Sequence, residues 1–162
     1  MRGANSYTGV YILMSNLPFP WWDKTITIYN KVVDPTTQRI SWYRTVVENC
    51  FWKYINNTYT IRGSNILLET KEVICRIPED ERYADKATWK TLSDKSNRFT
   101  LANGDIIILG EVEDVIDEYT AGSRSTDLIA KYREVDACLE IDTYVDNVRT
   151  GVDLEHYKVI GK

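Results

Sequence analysis

The chain has one histidine, His156, and no pair of cysteines at metal-ligand spacing. A Ser-His-Asp or Cys-His catalytic arrangement would have to run through that single imidazole. His156 lies beside Tyr157 in a terminal strand pattern and reads as a structural or interface residue. No HExxH, GxSxG, GxGxxG or P-loop sequence occurs, which removes the familiar hydrolase and nucleotide-binding motifs. The three cysteines, Cys50, Cys75 and Cys138, are odd in number and widely spaced, as expected of small buried thiols in a reducing compartment rather than of a disulfide frame or a zinc site. Neither a catalytic group nor a metal or other cofactor is expected. Long apolar runs are missing too. The longest near the start, Val10 to Met14, is far too short for a membrane span or a signal core, so the chain is expected to be made in the cytoplasm with no membrane partner. Lysine and arginine do not cluster along the sequence, and the net charge is −4. Gripping nucleic acid needs clustered cations, so that role is disfavoured.

Aromatic side chains are plentiful: five tryptophans, eleven tyrosines and three phenylalanines. With many β-branched residues they favour pleated, half-buried surfaces and raise the expectation of interfaces. The segment from Thr25 alternates as a strand. Asp34-Pro35-Thr36-Thr37 reads as a turn, and a long β segment follows from Arg39, with Glu48-Asn49 as a bend. Asn56-Asn57 suits a two-residue hairpin turn. A strand is expected from about Thr70 to Ile77, ended by Pro78. Leu101 to Gly110 is the most informative stretch: Asn103-Gly104 supplies turn geometry, and the unbroken Ile106 to Leu109 run predicts a strand buried on both faces. Ser125-Thr126-Asp127 opens a short helix ending near Glu134. Ala137 to Asp146 and the terminal HYKVIGK complete the strands. The fold expected is mainly β: a small barrel or sandwich of seven to nine strands with one short α-helix, a long 78–97 loop and an extended N-terminal arm. Residues 1–23 form the arm and 24–162 a single domain with the loop inserted.

Three regions carry the functional question. The arm contains Tyr11, Phe19, Trp21 and Trp22, with Pro18 and Pro20 excluding a regular helix or central strand. It either packs on its own barrel or reaches a neighbouring subunit. The 78–97 loop has balanced charge and few anchors, Tyr83 and Trp89 among them, and is either a pinned excursion or an interaction loop. Glu111, Glu113, Asp114, Asp117 and Glu118 form an acidic strip with no basic residue between them. Its spacing does not suit a calcium loop. A solvated face and the lining of a shared pore both remain open. Val112, Val115, Ile116 and Tyr119 fit helical spacing better than alternation, without deciding the segment.

FTLANGDIIILGEVEDVI, the TDLIAKY helix, YVDNVRTG and HYKVIGK, in that order, resemble small proteins of the head–tail connectors of tailed phages. ITIYNKVVDP, SWYRTVVENCFW and the Trp89 loop fit the same pattern over most of residues 24–162. The resemblance implies a head-closure or stopper-like protein, a virion component of the neck. Such proteins are small β-barrels assembled as a ring, six- or twelve-fold, between portal or adaptor and tail proteins. The ring closes the filled head and retains or conducts DNA without reading its sequence. In that setting the arm and loop aromatics would supply ring contacts, and the acidic strip would face the DNA channel. Another neck component, adaptor or tail terminator, fits nearly as well. A non-viral β-barrel ligand-binding module is the remaining alternative.

Overall fold

The computed structural model describes residues 20–148 and 155–162. It is mainly β, with strands β1 (Lys24–Val33), β2 (Ile40–Thr60), β3 (Leu67–Pro78), β4 (Ile106–Leu109), β5 (Cys138–Asp146) and β6 (His156–Gly161). Two helices, α1 (Lys86–Thr91) and α2 (Ser125–Arg133), interrupt them. All strand pairs are antiparallel, and the sheet closes on itself in the order β1-β2-β3-β6-β5-β4. Two strands make closure possible by changing partner along their length. β2 pairs β1 up to Cys50 and β3 from Phe51 onward. β5 pairs β4 through Cys138–Glu140 and β6 from Ile141.

The change in β2 occurs at the expected bend. Asn49 takes φ +58°, and the register moves from Lys24↔Cys50 to Ile26↔Val47, leaving an extra residue on β2. A bulge of this kind sharpens the local twist and turns the strand towards a new neighbour. Asn tolerates the left-handed region better than most residues.

Inside the barrel, Ile26, Ile28, Val47, Cys50, Val73, Cys75, Ile77, Ile107, Leu139, Ile141, Tyr157 and Val159 pack together, joined by Phe99 and Leu101. A second cluster lies on the outer face of β1 and β4. Tyr29, Ile106, Ile108 and Cys138 are covered there by Ile116 and Leu128. The strand Ile106–Leu109 is therefore covered on both faces, as its unbroken apolar run predicts. All three cysteines are buried free thiols.

The mainly β fold is as expected; among the described residues there are six strands rather than seven to nine, because β2 is one 21-residue strand. Asn56 and Asn57 lie mid-strand, paired with Lys71 and Thr70. Neither has a positive φ, so they do not form the hairpin turn. The reversal comes later, at Ile61–Ile66, where Gly63 takes φ +89° and the Ile66 carbonyl accepts from the Ile61 N–H. A second correction concerns the 78–97 loop, which contains α1. Asp85 caps it by accepting from the Ala87 and Thr88 N–H groups, both at 3.0 Å. The loop's ends are drawn together by an isolated Tyr83↔Phe99 bridge, with Ala84 N–H donating to the Phe99 carbonyl. After Gly110 the chain runs without regular secondary structure as far as 117, rather than as a helix.

Candidate interaction surfaces

One exposed apolar surface lies where the sequence did not mark it. Beyond the barrel wall, β2 and β3 continue as a two-stranded ribbon. β1 reaches β2 no further than Cys50, and β6 reaches β3 no further than Val73, whereas β2 and β3 stay paired out to Thr60↔Leu67. From Ile55↔Glu72 to the tip, the ribbon thus has two open edges. Six residue pairs at ~3.3 Å rise project roughly 20 Å. Tyr59, Ile61, Ile66, Leu67 and Leu68 are exposed along it, Leu67 at 67% and Ile66 at 56%. An isolated two-stranded hairpin is marginal in water, and open hydrophobic edges are templates for pairing with another chain. The sequence pointed instead to a hairpin turn at Asn56-Asn57 and to a strand only from about Thr70. What could not be read locally is that neither neighbouring strand extends far enough to cover it.

The aromatic residues expected to make ring contacts divide differently. Tyr11 and Phe19 lie outside the described residues. Trp21 is exposed at 55%. Trp22 is instead buried, edge-on to His156 with ring centroids 5.5 Å apart. Tyr83 is partly buried against Phe99 and Tyr157, the latter at 4.1 Å between centroids. Burial pushes its phenol far above the usual range. Trp89 is 2% exposed and meets Tyr43 edge-on at 6.0 Å. Trp22, Tyr83 and Trp89 therefore anchor the arm's end and the 78–97 excursion to their own barrel, Trp22 and Trp89 with almost no surface left outward. Burying a large aromatic is what makes such a polar excursion stay in place.

The acidic strip wraps the outer flank of the barrel, over the cluster around Tyr29. Val112 and Ile116 tuck inward between carboxylates. Three of the acids are tied down. Asp114 accepts from Lys131 Nζ at 2.8 Å and from the Tyr132 hydroxyl at 2.6 Å, contacts that hold its carboxyl below the usual range. The Asp114 carbonyl also accepts from the Tyr29 hydroxyl at 2.7 Å, and burial pushes that phenol up to about 12. Glu118 accepts from Trp42 Nε1 at 2.8 Å. Asp117 accepts from the Thr120 hydroxyl and the Tyr119 N–H, which lower its pKa, and it makes a local turn. Glu111, Glu113 and Asp117 remain exposed. The strip thus serves partly to staple an irregular segment onto β1, β2 and α2, and presents a smaller outward charge than its sequence suggests.

Among the described residues no group of three His, Cys, Asp or Glu side chains could hold a metal ion. His156 Nε2 lies 3.2 Å from Asn147 Nδ2. One acid is buried: Asp105, 2% exposed, follows the turn at Gly104, which takes φ +85°. Its carboxylate accepts from Asn30 Nδ2 (2.8 Å), Lys31 N–H (2.9 Å) and Ala102 N–H (3.0 Å). Burial raises its pKa to about 6, partly offset by these donors. Asn30 bridges onward to the Thr100 carbonyl at 2.8 Å. The network fastens the connection into β4 against β1.

Residues 21–162 match a family of unknown function, DUF6751, and the chain belongs to that family. No curated protein and no solved structure shows a significant match.

Proposed function

We propose that this DUF6751 protein is a structural subunit of a phage neck, assembling as a ring between portal or adaptor and tail to close the filled head and conduct its DNA. The observation that carries this reading is the β2–β3 ribbon. A closed barrel with a projecting, open-edged, apolar hairpin has the form of a subunit that completes itself on a neighbour. Rings are built from heterologous interfaces, in which one surface of a subunit meets a different surface of the next and rotation closes the set. The ribbon supplies one such surface, and exposed Trp21 offers a second apolar contact at the end of the arm. The outward carboxylates Glu111, Glu113 and Asp117 suit a wall past which DNA slides, because like charge repels phosphate at short range. Nothing in this role requires a cofactor or chemistry.

The test is electron microscopy and native mass spectrometry of the protein, alone and on purified portal complexes. Rings are expected, six- or twelve-fold, on the portal if not in isolation. Ile66→Ser with Leu67→Ser should abolish ring formation while leaving the thermal midpoint unchanged. A protein that stays monomeric on every neck template, with a ligand held in its barrel, would overturn the proposal.

A further inference from the structure

We infer that the cleft between α1 and the β1–β2 turn is a binding site for a phosphate group. The cleft has a volume of about 650 Å³, and its lining includes Tyr43, Lys86, Trp89, Lys90, Lys95 and Thr100. Its donors outnumber its acceptors. Lys86 and Lys90 stand four residues apart on α1, hence on one face of the helix. Both are exposed and neither forms a hydrogen bond or a close ion pair among the described residues, although Lys86 lies near enough to Asp105 to stabilise its carboxylate. Lys95 stands 5.8 Å from the Trp89 ring centroid and donates to the Leu92 carbonyl, which uses one of its three protons. Trp89 and Thr100 also line the cleft, and Trp89 Nε1 and Thr100 Oγ1 are buried with no hydrogen-bond partner. A buried donor left unmade costs about 1–3 kcal/mol, so an acceptor oxygen that reached the indole N–H or the hydroxyl would be favoured.

The acids that line the cleft do not fill this demand. Asp105 already accepts three N–H groups from Asn30, Lys31 and Ala102. Asp34 is committed to the Thr36 and Thr37 N–H groups, both at 2.8 Å. Lys31 reaches the cleft from β1, but its ammonium lies on the opposite face, 5.9 Å from the Trp42 ring centroid. What remains is the Lys90 ammonium without a partner, two more, Lys86 and Lys95, that are partly engaged, an indole N–H and a hydroxyl. An oxyanion with several acceptor oxygens and close to two charges matches this set better than a single carboxylate. The site lies within one subunit and stands whether or not the ring forms.

The test uses the full chain labelled with ¹⁵N, following the tryptophan indole resonances, with Trp89 assigned by Trp89→Phe. Inorganic phosphate, a mononucleotide and a short DNA duplex are titrated separately. A saturable shift of the Trp89 indole resonance is expected with at least one of them. Calorimetry of the wild type and of Lys86→Ala/Lys90→Ala, which needs no tryptophan variant, should show affinity falling at least tenfold with no change in the unfolding midpoint. If the duplex is the ligand, the slope of log affinity against log salt should shrink by about 2, one per lysine removed. Saturation by phosphate or mononucleotide but not by duplex identifies a free ligand as the source and supports the site. No saturable shift with any of the three, or binding indifferent to both lysines, overturns it.

Discussion

Gly161 is the position where one added methyl group should do most harm. It lies in β6 with Val73 of β3 on one side and Ile141 of β5 on the other, at a register shift in the barrel seam. A Cβ placed there would sit 1.9 Å from the Glu140 carbonyl oxygen and 2.8 Å from the Glu140 carbonyl carbon. Ordinary contacts begin near ~3.5 Å, so β5 and β6 would have to part by roughly 1.5 Å. That movement breaks the adjacent pair in which Glu140 N–H donates to the Lys162 carbonyl at 3.0 Å and Lys162 N–H donates to the Glu140 carbonyl at 3.4 Å. Two backbone hydrogen bonds at ~1 kcal/mol each, with ~1–3 kcal/mol of overpacking strain, give a loss of about 3–5 kcal/mol. In a protein of this size each kcal/mol lowers the melting temperature by about 2–4 °C, so Gly161→Ala should melt at least about 6 °C lower by calorimetry. Gly63→Ala is the control. Gly63 has a positive φ of +89° but open space around the missing Cβ, so its replacement should cost only about 1–2 kcal/mol. A Gly161→Ala protein that melts within about 2 °C of the wild type would refute the close-approach argument.

Asp105 makes a pH prediction. Its folded pKa of about 6 lies above the ordinary 3.8, so the native state binds its proton more tightly than the unfolded chain does. The stability it confers by protonation is full below pH 3.8 and is lost as pH rises towards 6. Chemical denaturation at pH 4 and pH 7 should show the wild type losing about 2 kcal/mol relative to Asp105→Asn across that interval. A constant difference between the two proteins would disprove the shift. Asp114→Ala removes the acceptor of Lys131 and Tyr132 and should destabilise by about 1 kcal/mol in urea. Glu113→Gln, an exposed neighbour, should change stability by less than about 0.5 kcal/mol. Equal losses for the two would mean that the strip is not stapled through Asp114.

Local pattern was enough wherever a segment's partner did not matter. The Ile106–Leu109 run stated its burial on both faces because no polar side chain could stand on either one. The Ser125 start and spacing of α2, the Asp34-Pro35 turn and the bend at Glu48-Asn49 were legible because capping, proline and asparagine act within a few residues. The apparent hairpin at Asn56-Asn57 was not: its turn chemistry is real, but pairing with Lys71 and Thr70 holds both residues extended. α1 was missed because a six-residue helix has too little periodicity to read, and burial of Trp89 fixes it.

The candidate surfaces show the same division. The acidic strip was visible as composition, but only the fold reveals that Lys131, Tyr132 and Trp42 engage two of its acids from elsewhere in the chain. The lysine cleft was invisible along the sequence, since it needs α1 brought against the β1–β2 turn. A β-rich chain, a central buried strand, a late helix and a surplus of aromatics and carboxylates all follow from residue order and composition. Where β2 changes partner, which hairpin is left uncovered, why Gly161 has no room for a side chain and which charges remain outward depend on the folded barrel. The physical reason is range: propensity and capping act between neighbours in sequence, whereas pairing, close approach and desolvation depend on groups that meet only when the barrel closes.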